Sequence, residues 1–91
     1  MVDHSTNKDF LNPTDFNLVF REIGKRLKKQ REIKKLSVLD LTEISGISGS
    51  YISNIENGKR TNGSLYIYFK LAHYLDYPIE TLFQDLQNLL P

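Results

Sequence analysis

Apolar residues in the N-terminal third fall at Phe16, Val19, Phe20, Ile23 and Leu27. That is the spacing of one helical face, and it predicts a helix over about 15–34 with a single buried stripe. Asn12-Pro13-Thr14 is the entry signal, with Thr14 as candidate N-cap and Asp15 placed to meet the helix dipole. A second helix is expected over about 38–45, capped by Ser37, burying Leu41 and Ile44, and stopped by a left-handed Gly46. Ile47 is a buried link to a third helix over about 49–57. That helix is capped by Ser48, turns Ile52 and Ile55 inward and stops at Asn57-Gly58. Residues 59–63 read as a loop, with Asn62-Gly63 a turn signal. Ser64 opens a fourth helix over about 65–75, with Leu65, Tyr68, Leu71, Ala72 and Leu75 on its inner side. Asp76-Tyr77-Pro78 breaks it. A fifth follows over about 79–89, with Ile79, Leu82, Phe83 and Leu86 apolar. No segment alternates with period two. The expected class is therefore all-α, a compact five-helix domain over 14–91 behind a flexible tail at 1–13.

Ninety-one residues hold one core. No apolar run approaches the roughly 18 residues needed to span a bilayer, so no membrane partner is expected. The polar, acid-bearing residues 1–9 are neither a signal nor a transit peptide, and a cytoplasmic location is expected. The absence of cysteine excludes a disulfide framework and thiolate ligands, and two histidines offer no zinc spacing. No metal and no cofactor is expected. A net charge of +1 is uninformative, but its distribution is not. Residues 21–35 carry eight basic and two acidic residues, and Lys59 and Arg60 add two more. The first twenty residues and those after Arg60 each sum to −2. Clustered charge of one sign makes a local field that attracts polyanions.

The segment 36–60 concentrates the functional signal. Its helices of about eight residues are marginal alone. Paired across the tight turn Gly46-Ile47-Ser48, they hold each other at a steep angle. The second can then project into a DNA major groove about 12 Å wide. In residues and order the chain resembles the lambda-repressor/Cro-type helix-turn-helix family, also called XRE, over about 23–83. The matching features are Ile23-Gly24, Leu27 and Arg31, then Leu36-Ser37 and Leu41, then Gly46-Ile47-Ser48. They continue with Tyr51-Ile52-Ser53, Ile55-Glu56-Asn57-Gly58, Leu71-Ala72, Leu75 and Leu82-Phe83.

The resemblance implies a lambda-repressor-like DNA-binding domain with the third helix in the major groove. It implies a transcriptional regulator that binds a pseudo-palindromic double-stranded operator as a homodimer. Arg31 and Glu56 occupy positions that form an ion pair between the first and third helices; otherwise they are two solvated charges. Base contacts would come from Ser48, Gly49, Ser50 and Asn54. Ser48 is equally readable as a pure cap, and Asn54 as a solvated helix position. Asn54 is the best reader, since an amide can bond adenine at two points. Phosphate contacts would come from Ser37, Tyr51, Ser53, Asn57, Lys59, Arg60, Thr61 and Asn62, and from Lys28 or Arg31 in the first helix.

Two features depart from the family pattern. Val38 stands where many members carry a glutamine that anchors the backbone. The loop lacks the usual proline, and Asn62-Gly63 adds about one residue. The apolar pair Val38-Leu39 keeps a rival open, a protein-interaction module on the same fold such as an antitoxin or an inhibitor of another regulator. Phe69, Leu86, Leu89 and Leu90 are candidate dimer contacts, because the chain has more apolar residues there than one face can bury. The alternative is that the turn at 16–20 covers them within one subunit. No nucleophile elbow, glycine-rich loop or metal spacing accompanies the serines, His73 or Asp76, so catalysis is not expected. No effector domain and no small-molecule effector is expected. Control is then expected through concentration and dimerisation, as in phage and mobile-element repressors or restriction–modification controller proteins.

Overall fold

The structure is a computed structural model and describes residues 11–60 and 64–91. Five α-helices occur among the described residues: α1 Asn17–Ile33, α2 Val38–Ser45, α3 Gly49–Glu56, α4 Leu65–Tyr74 and α5 Ile79–Leu82. The described residues contain no strand, so the class is all-α. Most of the proposed N-terminal tail, residues 1–10, lies outside the described residues.

The entry to α1 differs from the expectation. The chain first makes a 3-10 turn over Pro13–Phe16 with Asn12, not Thr14, as N-cap. The Asp15 carboxylate accepts from the Asn12 N–H at 2.7 Å, and Pro13 supplies the fixed φ of a first helical residue. From there α1 runs to Ile33, and the chain reverses through Lys35 at φ 58. The amides of Lys35 and Leu36 close back on the carbonyls of Glu32 and Arg31 at 2.9 and 3.1 Å. That pattern satisfies the last carbonyls of the helix. A glycine would adopt it without strain, which is why composition does not reveal it here. Asp76, at φ 53, ends α4 in the same way.

The core is a continuous cluster of Ile23, Leu27, Leu41, Ile47, Ile52, Ile55, Tyr68, Leu71, Ala72, Leu75, Leu82 and Leu86. Phe20 stacks on Tyr68 with ring centroids 6.0 Å apart and closes the cluster on the α1 side. Ile44 corrects the expected pattern: it is 46% exposed, and Ser45 takes the buried position on α2 instead. The small Ser45 fits the tight α2–α3 turn and accepts a hydrogen bond from the Ile47 N–H at 3.1 Å. Ile44 is rotated about 100° away from it.

The fifth helix is the largest departure. A single helix over 79–89 does not form; α5 ends at Leu82, Asp85 turns left-handed at φ 62, and a separate 3-10 turn spans Leu86–Leu89. The cause lies on α1. Arg26 Nη1 donates to the carbonyls of Leu82 at 2.9 Å and Gln84 at 2.8 Å, with Thr81 O at 3.4 Å. The Leu82 and Gln84 carbonyls are thereby held against α1, while Thr81 O also accepts from the Gln84 N–H at 3.2 Å. Glu22 holds the same guanidinium from below at 3.0 Å. Four residues further along α1, Gln30 Nε2 donates to Leu75 O at 3.0 Å, and Lys34 Nζ pairs with Asp76 at 2.6 Å. Residues 22, 26, 30 and 34 therefore form one polar stripe that caps the carbonyl ends of α4 and α5. Replacing Arg26 by alanine is expected to cost about 1.5–3 kcal/mol, the range for hydrogen bonds to a charged group. A urea titration should show a lower midpoint with an unchanged slope; an unchanged midpoint would remove Arg26 from the fold's supports.

The kink also redirects Leu86. It is buried inside its own chain and so is not a candidate dimer contact. Phe69 remains 42% exposed, with its ring 5.9 Å from Phe83, and Leu89 is 36% exposed. Leu90 is half-buried. No helix among the described residues is long and apolar enough to cross a membrane.

Candidate nucleic-acid interface

The helix-turn-helix is built by local chemistry at three points. Ser37 caps α2 through a reciprocal pair with Asp40: its hydroxyl accepts from the Asp40 N–H at 2.9 Å, and its own N–H donates to the Asp40 carboxylate at 2.8 Å. Gly46 takes φ 75, and its N–H closes on Thr42 O at 2.8 Å. Ser48 then caps α3 by accepting from the Tyr51 N–H at 3.2 Å. Buried Ile47 pins the turn between them.

The orientation of α3 is set against α1. Gly24 brings the two backbones together: a Cβ there would lie 2.0 Å from the Ile55 carbonyl oxygen. Arg31 and Glu56 add a two-point pair, Nε to Oε2 at 2.7 Å and Nη2 to Oε1 at 2.9 Å, and Arg31 Nη1 also donates to Leu36 O at 2.7 Å. Both residues are buried, and the hydrogen bond Arg31 donates to Glu56 raises the Arg31 pKa against the opposing effect of burial.

With Ile52, Ile55 and Glu56 turned inward, Ser50, Asn54 and Asn57 fall on one exposed stripe at i, i+4 and i+7. Ser53 is half-buried on its flank. The stripe is polar and uncharged, suited to hydrogen-bond a surface that mixes donors and acceptors. Ser48 is exposed, and although its oxygen is used as a cap, its hydroxyl proton is free to donate. Gly49 is half-buried, and a Cβ there would point at Val38 Cγ1 and Thr42 Oγ1, at 3.5 and 3.6 Å, so only its backbone is left to approach a ligand. Ser37 is also less suited to phosphate than its position suggests. Its N–H is taken by Asp40, whose carboxyl is held below the usual range by the Ser37 backbone and side-chain hydrogen bonds.

The end of α3 closes tightly. The Gly58 N–H bonds Ile55 O at 3.2 Å, and the amides of Lys59 and Arg60 both bond Asn54 O at 2.9 Å. Gly58, at φ 74, supplies the left-handed step. The loop therefore leaves α3 in a fixed direction, and Arg60 folds back with its guanidinium 4.4 Å from the Tyr51 ring centre. Tyr51 Oη in turn accepts from the Ser64 N–H at 3.4 Å at the start of α4. Sequence spacing names Tyr51 and Arg60 separately and misses their stacking, because the eight intervening residues carry no local signal for it. Lys28 is half-buried on the side of α1 that carries Gly24 and Arg31. Thr61 and Asn62 lie outside the described residues.

Comparison with known proteins agrees with this geometry. A family model described as a helix-turn-helix domain matches residues 24–86. The chain is 36% identical over 63 residues to the HTH-type transcriptional regulator SinR of Bacillus subtilis (strain 168), covering 69% of this chain and 57% of that protein. It is 44% identical over 59 residues to the HTH-type transcriptional repressor RghR of the same organism, covering 65% of this chain and 44% of that one. The chain thus spans about half the length of the relatives it matches. The match takes in the Gly24 contact, the Arg31–Glu56 pair, the capped turn and α3 together, and the chain belongs to the lambda-repressor/Cro-type helix-turn-helix family.

Proposed function

We propose that this chain is a sequence-specific double-stranded DNA-binding transcriptional regulator of the cytoplasm, with α3 in the major groove and no catalytic activity. One observation carries the reading: α3 stands on a locked base and presents an exposed, uncharged polar stripe beside the cation Arg60 stacked on Tyr51. Ser50 and Asn54, with the free hydroxyl proton of Ser48, contact bases. Tyr51, Ser53, Asn57, Lys59, Arg60 and Lys28 contact phosphates. The names of its relatives support regulation. A homodimer pairing through Phe69, Leu89 and Leu90 would set two recognition helices about 34 Å apart on a pseudo-palindromic site.

Duplexes selected from a random pool test this. A dimer making about six to eight phosphate contacts should lose affinity with salt at a log–log slope near −5 to −7. Asn54→Ala should cost about 1–3 kcal/mol on the selected site and relax preference at one base pair. An equal loss on every duplex would reassign Asn54 to phosphate. A second reading is favoured by Leu39, an apolar side chain 66% exposed near the start of α2, which suits a protein partner. Absence of DNA binding at low salt would favour it.

A further inference from the structure

The basic run of α1 divides into groups with different work. Arg26, Arg31 and Lys34 are engaged within the fold by Glu22, Glu56 and Asp76. Arg21 is not. It is exposed, and no carboxylate pairs with it among the described residues. Yet its side chain has a defined bed. Its Cγ, Cδ and Nε lie 3.1, 3.5 and 3.7 Å from where a Cβ on Gly58 would stand. Gly58 thus supplies the left-handed step at φ 74, and its lack of a Cβ leaves the Arg21 stem a few tenths of an ångström of extra room.

That contact carries the first turns of α1 to the exit of the recognition helix. Gly58 is followed at once by Lys59 and Arg60, whose direction is fixed by the Asn54 carbonyl. Three cationic residues therefore lie around the exit of α3, and no described carboxylate pairs with any of them. Like charges gathered without counter-charges repel, and a polyanion relieves that repulsion. An arginine stem laid along backbone also has its planar head pre-positioned, which suits it to phosphate.

We propose that Arg21 is a phosphate-binding residue, which extends the DNA interface from α3 and its loop onto the N-terminal half of α1. This rests on the DNA-binding reading above, and the experiment separates the two. Binding of the full chain and of Arg21→Ala is measured on the parent's selected duplex and on an unrelated duplex, between about 50 and 200 mM salt. Arg21→Ala should weaken both duplexes by the same factor and make the log–log slope shallower by about 0.9 per copy of the chain in the complex. Its thermal melt should match the parent. Arg21→Lys should keep the slope. Lys29→Ala is the control, an exposed cation about 80° around α1 from Arg21, and it should shift the slope much less. An unchanged slope for Arg21→Ala, or a shift no larger than that of Lys29→Ala, overturns the assignment while leaving DNA binding intact. A parent chain that binds neither duplex at low salt overturns both.

Discussion

Replacing Gly24 by alanine is expected to be the most disruptive single methyl group that can be added to this chain. Gly24 sits inside α1, where glycine costs about 0.5–1 kcal/mol relative to alanine, so its presence calls for a compensating contact. The contact is the crossing of α1 over α3. A Cβ would lie 2.0 Å from Ile55 O and 3.0 Å from Ile55 C. Both atoms are backbone, so no side-chain rotation relieves the clash. The helices would have to part by more than about 1 Å, drawing Ile52 and Ile55 off Ile23 and Leu27. Overpacking typically costs about 1–3 kcal/mol, and a clash with rigid backbone belongs at or above the top of that range. For a domain of this size the melting temperature should fall by about 12–24 °C. Gly49→Ala is the control: its new methyl meets Val38 and Thr42 at ordinary contact distance and should leave the melt nearly unchanged. A Gly24→Ala protein that melts with the parent would mean the crossing is looser than described.

The difference between those two glycines also marks what sequence makes legible. Caps are readable because their chemistry is local. Ser37, Ser48, Gly46 and Gly58 each act within four residues of themselves, and all four stand where spacing predicts. The order and approximate bounds of α2, α3 and α4 follow for the same reason. The break in α5 was not readable, because it depends on Arg26 reaching carbonyls 55 to 58 residues away. Ile44 departs from its expected burial because an eight-residue helix offers one buried turn, and helical spacing alone does not say which side the tight turn to α3 will claim. In the site, Asn54 and Ser50 follow from position on α3. Gly49 does not, since the crossing of α2 and α3 decides which way its missing side chain points. The basic run was visible as a charge, but its division between carbonyl caps, the Glu56 pair and solvent required the packing of α1 against three other elements.

The second large effect is expected from Glu56→Ala. Arg31 is buried at the α1–α3 crossing, and Glu56 supplies two of its three hydrogen bonds. Removing the carboxylate leaves a guanidinium with only Leu36 O, inside a region water reaches poorly. Breaking a buried pair from one side costs about 3–5 kcal/mol, because the surviving charge is uncompensated. The melting temperature should fall by about 12–40 °C, and DNA affinity should fall with it because α3 loses the tie that fixes its angle. The double replacement Arg31→Met with Glu56→Leu separates the pair's worth from the cost of a stranded charge. Apolar residues of similar volume satisfy the site without either charge, so the double variant should melt above Glu56→Ala. If it does and still binds duplex poorly, the pair acts mainly by holding α3 at its angle. A Glu56→Ala protein with an unchanged melt would show that the two charges are effectively solvated, and the locked base proposed for α3 would lose its electrostatic half.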